Sequence, residues 1–257
     1  MAFGEIVAPA LLPEGGLARL APCARFAYFL DVDGTLLEIM PRPEDVAADE
    51  TLRALLSRLS HAAGSALGLV SGRTLAGIDR IFAPLVFPAV GGHGAEVRFP
   101  DGSREASCNG AMDQVREPLA EFAAARPGLR IEDKGFALAV HFRQAPERAE
   151  EVLAFVQSLA QRSGLAVQPG KMVAELKDAR HDKGKGIARL LARPPFSGRK
   201  PLFIGDDLTD ESGFALVNAL GGISVRAGSA CHHTQARYRL PDPESVRSEL
   251  RQLLESA

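Results

Sequence analysis

The chain has 257 residues, of which 46% are hydrophobic and 24% charged, with a net charge of −2, so it is long enough for one large domain or two modest ones with real cores. That balance is ordinary for a globular protein and lacks the basic block that nucleic-acid binding usually needs. No apolar run approaches the roughly 20 residues of a membrane span, and Glu5 interrupts the start before a signal peptide can form.

In chain order, residues 1–22, rich in Ala, Pro and Gly, read as a leader of uncertain order. A buried strand is predicted over 26–30, then a loop marked by Pro41 and Pro43, then a helix from Asp49-Glu50-Thr51. Leu52, Leu55, Leu56 and Leu59 give that helix one apolar face. A strand over 66–70 runs into Ser71-Gly72-Arg73-Thr74, which opens a helix. A strand over 86–90 leads into Gly91-Gly92-His93-Gly94, and 97–105 reads as a hairpin turned at Asp101-Gly102.

From about 109 to 178 the grammar changes. A helix (111–125) precedes a strand ending near Asp133, a Lys134-Gly135 turn and a strand through Phe142. A second helix (146–162) precedes a strand at 165–168, a Pro169-Gly170-Lys171 turn and a strand at 172–176. Helix, hairpin, helix, hairpin is an α+β unit. The βα alternation then resumes with a helix from Lys183, a strand at 202–204, a helix from Asp210, a strand at 223–225 and a last helix from Pro243. The expected fold is therefore α/β: a Rossmann-like, doubly wound parallel-sheet core in two parts, 1–107 and 179–257, interrupted by an α+β domain at 108–178.

Cys23, Cys108 and Cys231 are scattered, odd in number and lack metal-ligand spacing, which points to a reducing, cytoplasmic compartment. Cys231-His232-His233 reads as a surface loop. The sequence does not set an oligomeric state, and a monomer is compatible with it.

Chemistry concentrates at four places. The strand Ala27–Leu30 ends in Asp31-Val32-Asp33-Gly34-Thr35, two carboxylates that cost folding free energy unless a cation or a reaction uses them. Ser71-Gly72-Arg73 follows a second strand; alone it is equally a helix-entry turn. Lys183 opens the helix after the insert, and Lys185 beside it reads as part of a solvated turn. Leu202-Phe203-Ile204-Gly205-Asp206-Asp207-Leu208-Thr209-Asp210-Glu211 again runs a buried strand into carboxylates.

These four, in this order, resemble the motifs of the haloacid dehalogenase-like superfamily, whose members mostly move phosphoryl groups through an aspartyl-phosphate. The resemblance implies Asp31 as nucleophile and Asp33 as general acid and then base, its pKa raised by Asp31. It implies Thr35, Ser71 and Gly72 as phosphoryl contacts and Lys183 as the neutralising cation. It also implies Mg²⁺ held by the Asp31 carboxylate, the Asp33 backbone carbonyl and Asp206, with Asp210 one layer further out.

Gly92-His93-Gly94-Ala95-Glu96 and Gly205–Glu211 narrow the likeness, as do Glu132-Asp133-Lys134-Gly135, Ala139–Arg143 and Gly170–Lys177 within the insert. Together they resemble the trehalose-6-phosphate phosphatases from about Phe26 to about Tyr238. In that family the insert is a cap that closes over the active site and grips the sugar. By position Glu132, Lys134 and Glu175 would contact glucose hydroxyls, and Arg73 and His93 would line the entrance. His141 and Arg143 read instead as sheet-face residues holding the cap. Without the resemblance, solvent-facing ion pairs explain Glu132, Lys134 and Glu175 as well. The expected activity is Mg²⁺-dependent hydrolysis of a small-molecule sugar phosphate, trehalose 6-phosphate, with no nucleic-acid or membrane partner. Rivals are a phosphatase for sucrose 6-phosphate or a mannosyl phosphate, a phosphomutase, and a catalytically silent sugar-phosphate sensor.

Overall fold

The computed structural model describes residues 9–40, 42–106, 110–170, 172–228 and 233–256. Residues 1–8, Lys171, Cys108, Cys231 and His232, on which parts of the reading above fall, lie outside the described residues. The chain forms two compact units, one of residues up to Glu105 and from Asp182, the other Ala106–His181.

The larger unit begins with β1 (Ala10–Leu11), α1 (Gly16–Leu20), β2 (Phe26–Asp31), α2 (Glu50–Ala62), β3 (Leu67–Val70), α3 (Leu75–Phe82), β4 (Ala89–Gly91), β5 (Glu96–Arg98) and β6 (Arg104–Ala106). The insert follows with α4 (Gly110–Ala124), β7 (Arg130–Asp133), β8 (Ala137–His141), α5 (Ala149–Ser163), β9 (Ala166–Gly170) and β10 (Val173–Lys177). The larger unit resumes with α6 (Lys183–Leu191), β11 (Lys200–Gly205), α7 (Glu211–Ala219), β12 (Ile223–Ala227), β13 (Tyr238–Leu240) and α8 (Pro243–Glu255).

Nine strands of the larger unit form one sheet in the order β1-β13-β12-β11-β2-β3-β4-β5-β6. Pairing is parallel from β1 through to β4 and antiparallel from β4 to β5. β2 is a continuous apolar run because both of its faces are covered, as parallel strands require. Tyr28 and Leu30 pack with leucines of α1, α2 and α8 and with Ile78 and Phe82 of α3. Ala27 and Phe29 face the other way, onto Ile187 and Leu190 of α6 and Phe214 and Val217 of α7. The sheet is therefore doubly wound, as read from the sequence.

Order along the sheet places the active edge. From β2 the chain winds outward through β3 and β4, and after the insert it returns on the opposite side through β11, β12 and β13. Ligands of open α/β sheets sit beyond the carboxyl ends of the strands at such a reversal. Leu30 pairs with Ile204, so the residues that follow, Asp31 and Gly205-Asp206, leave neighbouring strands side by side.

The insert carries an antiparallel sheet, β7-β8-β10-β9, with α4 and α5 packed on one face. Leu138, Val140, Ala174 and Leu176 point into that core with Met112, Leu119, Val152 and Val156.

Four expectations are corrected. The leader is not structureless where described: β1 pairs with β13, and α1 buries Leu17, whose N–H donates to Glu249 of α8 at 3.0 Å. β13, which a three-residue Tyr-Arg-Leu signal is too short to announce, completes that side of the sheet. α3 starts at Leu75 because Thr74 caps it, accepting from the Gly77 N–H at 3.0 Å, so Ser71–Arg73 stays loop. β4 starts at Ala89, after Pro88, which has no N–H for the ladder.

Candidate active site

Asp31 ends β2 and is 3% exposed. Lys183, the first residue of α6, is equally buried and donates from Nζ to Asp31 Oδ1 and to Asp210 Oδ1, each at 2.7 Å. Asp210 is fully buried, and its other oxygen accepts the backbone N–H groups of Asp206 and Asp207, each at 3.0 Å. It thus closes the turn after β11 and ties that turn to Lys183. Carboxylate oxygens of Asp31, Asp206 and Asp210 all lie within 4.8 Å of one another.

Three carboxylates and one ammonium leave two negative charges in a dry site. Burial, and then the neighbouring carboxylates, hold the Asp31 carboxyl above its ordinary range despite Lys183. Burial and Asp210 push Asp206 up to about 6. Burial opposes the Lys183 ammonium, but Asp31 and Asp210 outweigh it and keep it protonated beyond the usual lysine range. The surplus charge and the all-oxygen donor set suit a hard divalent cation. Asp210 has no oxygen to spare for one, since Lys183 and two N–H groups occupy both. Asp31 keeps Oδ2, and Asp206 faces the same space.

Gly34 explains how the two loops meet. Its φ is +83°, and a Cβ there would come within 2.1 Å of Asp206 Oδ2, so glycine alone lets Asp206 approach. Thr35 is fully buried, with its hydroxyl 3.4 Å from Asp206 Oδ1.

Asp33 is engaged elsewhere. Arg73 holds it bidentately, Nε to Oδ2 and Nη2 to Oδ1, both at 2.7 Å. Ser71 is 1% exposed, and its Oγ accepts the Arg73 N–H at 3.1 Å. Its loop is zipped to the Gly92–Gly94 turn, His93 N–H to Ser71 O at 3.2 Å and Gly92 N–H to Arg73 O at 2.8 Å. The His93 ring lies directly against Gly72, where a Cβ would come within 2.4 Å of it. Rather than standing apart at an entrance, Arg73 and His93 brace the first and second motifs. Lys185 pairs with Asp182 at 3.0 Å and is largely exposed.

In the insert, Lys134 Nζ donates to Glu175 Oε2 at 2.7 Å, and Glu132 Oε2 meets His141 Nε2 at 3.0 Å. Glu175 does not end a hairpin. It lies mid-strand opposite Ala139, which also pairs with Glu132, so both carboxylates flank one alanine on the sheet face away from α4 and α5. Two contacts escape sequence reasoning: the Asp210 bridge and the Arg73–Asp33 fork. The only sequence signal for the first is a buried-helix start four residues after Asp206. The second has none, because it joins residues 40 apart.

This arrangement of strand-end carboxylates, lysine and loop hydroxyls recurs in known proteins. The trehalose-phosphatase family model matches residues 29–244. A probable trehalose-phosphate phosphatase of Sinorhizobium fredii is 43% identical over 225 residues, covering 86% of this chain and 85% of that protein. The trehalose-6-phosphate phosphatase of Escherichia coli is 40% identical over 234 residues, 88% of this chain and 86% of that one. A crystal structure of a trehalose-6-phosphate phosphatase related protein superposes with a TM-score of 0.72 at 27% identity, over 89% of this chain and 96% of its own. With most of both chains matched, and with Asp31, Ser71, Lys183 and Asp206 all inside the matched span, the chain belongs to the trehalose-phosphatase family.

Proposed function

We propose that the protein hydrolyses trehalose 6-phosphate to trehalose and inorganic phosphate, with Asp31 as the phosphoryl acceptor. One observation carries the assignment of Asp31. It is buried at the sheet reversal with one oxygen fixed by Lys183 and the other facing Asp206.

An Asp31 oxygen attacks phosphorus, and the bond from phosphorus to the sugar oxygen breaks. Asp33 protonates the departing oxygen once one of its own oxygens leaves Arg73. Asp33 then takes a proton from water, which attacks the phosphorus of the aspartyl-phosphate and returns Asp31 as a carboxylate. Lys183 neutralises charge shared by Asp31 and the phosphoryl oxygens, while Thr35, Ser71 and the loop at Gly72 donate to those oxygens. Asp31, Asp206 and the Asp33 backbone carbonyl would hold Mg²⁺, which supplies charge stabilisation on the phosphoryl group when bound.

Glu132, Lys134 and Glu175 read the sugar. Carboxylates accept from hydroxyls and an ammonium donates to them, so a wrong sugar leaves buried polar groups unpaired. Glu175 supports this, since its Oε1 is buried without a hydrogen-bond partner in the described structure. Arg73 and His93 would act on the substrate through the loops that they brace. Among the described residues no helix is long and apolar enough to cross a membrane, and scattered cysteines fit a cytoplasmic enzyme. Phosphate release across a panel of sugar phosphates with added Mg²⁺ tests the reading. Trehalose 6-phosphate is expected to give the highest kcat/KM. Preference for sucrose 6-phosphate or a mannosyl phosphate would overturn the substrate, and transfer to sugar instead of water would make it a mutase.

A further inference from the structure

The insert sheet presents more polar chemistry than the three sugar-reading residues use. Its register aligns Glu132, Ala139, Glu175 and Gln168 in one row across all four strands, from β7 through β8 and β10 to β9. Directly opposed residues share a face, so all four point away from the helices. One row along, Lys177 lies opposite Ala137 and Ala166 on that same face, and the Lys134 N–H donates to Ala137 O at 2.9 Å. Lys177 Nζ donates to Gln168 Oε1. The middle strand contributes only the small side chains of Ala137 and Ala139, both buried, so its floor is shallow between taller polar neighbours.

We propose that Gln168 and Lys177 are specificity-determining residues that bind the second glucose ring of the substrate, on the far side of Glu175 from Glu132. The inference rests on the reading of Glu132, Lys134 and Glu175 above and extends it. Four strands place the ends of the row about 14 Å apart, more than one pyranose ring occupies. Glu132 and Glu175 flank β8 and so frame one ring. Gln168 and Lys177 stand on the β9 side of that frame and are half-buried, with stems packed and polar ends within reach of a ligand. With its carbonyl held by Lys177, Gln168 turns its NH₂ donors the other way, and Lys177 keeps donor capacity beyond a single bond. A neutral, hydroxyl-rich ligand suits this mixed set better than a second phosphate, because Glu175 lies between the two cations, Lys134 and Lys177.

The test compares Gln168→Leu and Lys177→Met with Glu175→Gln on trehalose 6-phosphate, glucose 6-phosphate and p-nitrophenyl phosphate. For the first two variants kcat/KM on trehalose 6-phosphate is expected to fall about tenfold, chiefly through KM, against less than about twofold on the other two substrates. Lys177→Arg should restore most of the loss. Unaltered selectivity in both variants, with Glu175→Gln still discriminating, would overturn this inference alone. Equal losses on all three substrates would assign the pair to the fold of the insert. If Glu175→Gln also fails to discriminate, the sugar-reading role of the whole sheet face falls, and this inference with it.

Discussion

The two units use carboxylates in opposite ways. In the core, Asp31, Asp206 and Asp210 converge on one lysine, are mostly dry, and carry two more negative charges than their partners cancel. In the insert each charge meets a neighbour, Glu132 with His141, Lys134 with Glu175 and Lys177 with Gln168, on a half-exposed sheet face. Unbalanced buried charge is costly without a cation or a reaction to use it. Balanced polar pairs instead form a hydrogen-bonding surface suited to neutral hydroxyls. The contrast assigns chemistry to one unit and substrate choice to the other.

The widest gap should open at Asp31. Replacement by Asn is expected to cut phosphate release by more than about a thousandfold on every phosphomonoester, aryl phosphates included, with the melting temperature retained. Substantial residual turnover would take the nucleophile role from it. Lys183→Met should follow, with about a hundredfold loss in kcat. It should also lower thermal stability sharply, because removing one partner of a buried ion pair costs about 3–5 kcal/mol. A variant of normal stability would show that the three carboxylates need no internal cation.

On the insert side, Glu175→Gln is expected to cost about tenfold to a hundredfold on trehalose 6-phosphate and little on an aryl phosphate. Parallel losses would erase the division of labour.

Smaller effects sharpen the comparison through pH. Asp206 is raised to about 6 in the folded, metal-free protein, above its unfolded value near 4. The folded state therefore binds the proton more tightly, and that contribution to stability fades as pH rises from about 4 through about 6. The melting temperature of metal-free protein should fall across that window, and added Mg²⁺ should raise it more at pH 7.5 than at pH 5. Equal shifts at both pH values would uncouple the cation from these carboxylates. Asp178 has the opposite sign. The Arg180 guanidinium holds its carboxyl down at about 2, so its contribution is full above about 4 and lost as pH falls towards 2. Asp178→Asn should therefore narrow the stability difference between pH 5 and pH 2.5 by a degree or two at most, because Arg180 is exposed and its attraction is screened.

Residues whose roles follow from local pattern could be read from the chain. The apolar run into Asp31, its counterpart into Asp206 and the leucine spacing of α2 each carry their own periodicity. The helix-hairpin alternation of the insert was legible for the same reason. What the sequence hides depends on distant closure. The Asp210 bridge needs α6 and the turn after β11 to meet, and the Arg73–Asp33 fork needs β2 and β3 to be neighbours. Antiparallel register is equally invisible, because whether Glu175 faces Ala139 or Leu138 is set by turn geometry and not by composition. The leader was misread because five residues of α1 and two of β1 are too short to show a period, and their order comes from α8 and β13.

The division between the units stands or falls on whether Asp31 takes the phosphoryl group. The direct measurement is acid-quenched single turnover with trehalose 6-phosphate and Mg²⁺, followed by peptide mapping for a phosphoryl adduct. The expected result is an adduct on the β2 peptide at Asp31 that is absent from Asp31→Asn and decays as free phosphate appears. Phosphate release without that adduct, or an adduct on another residue, would contradict the account.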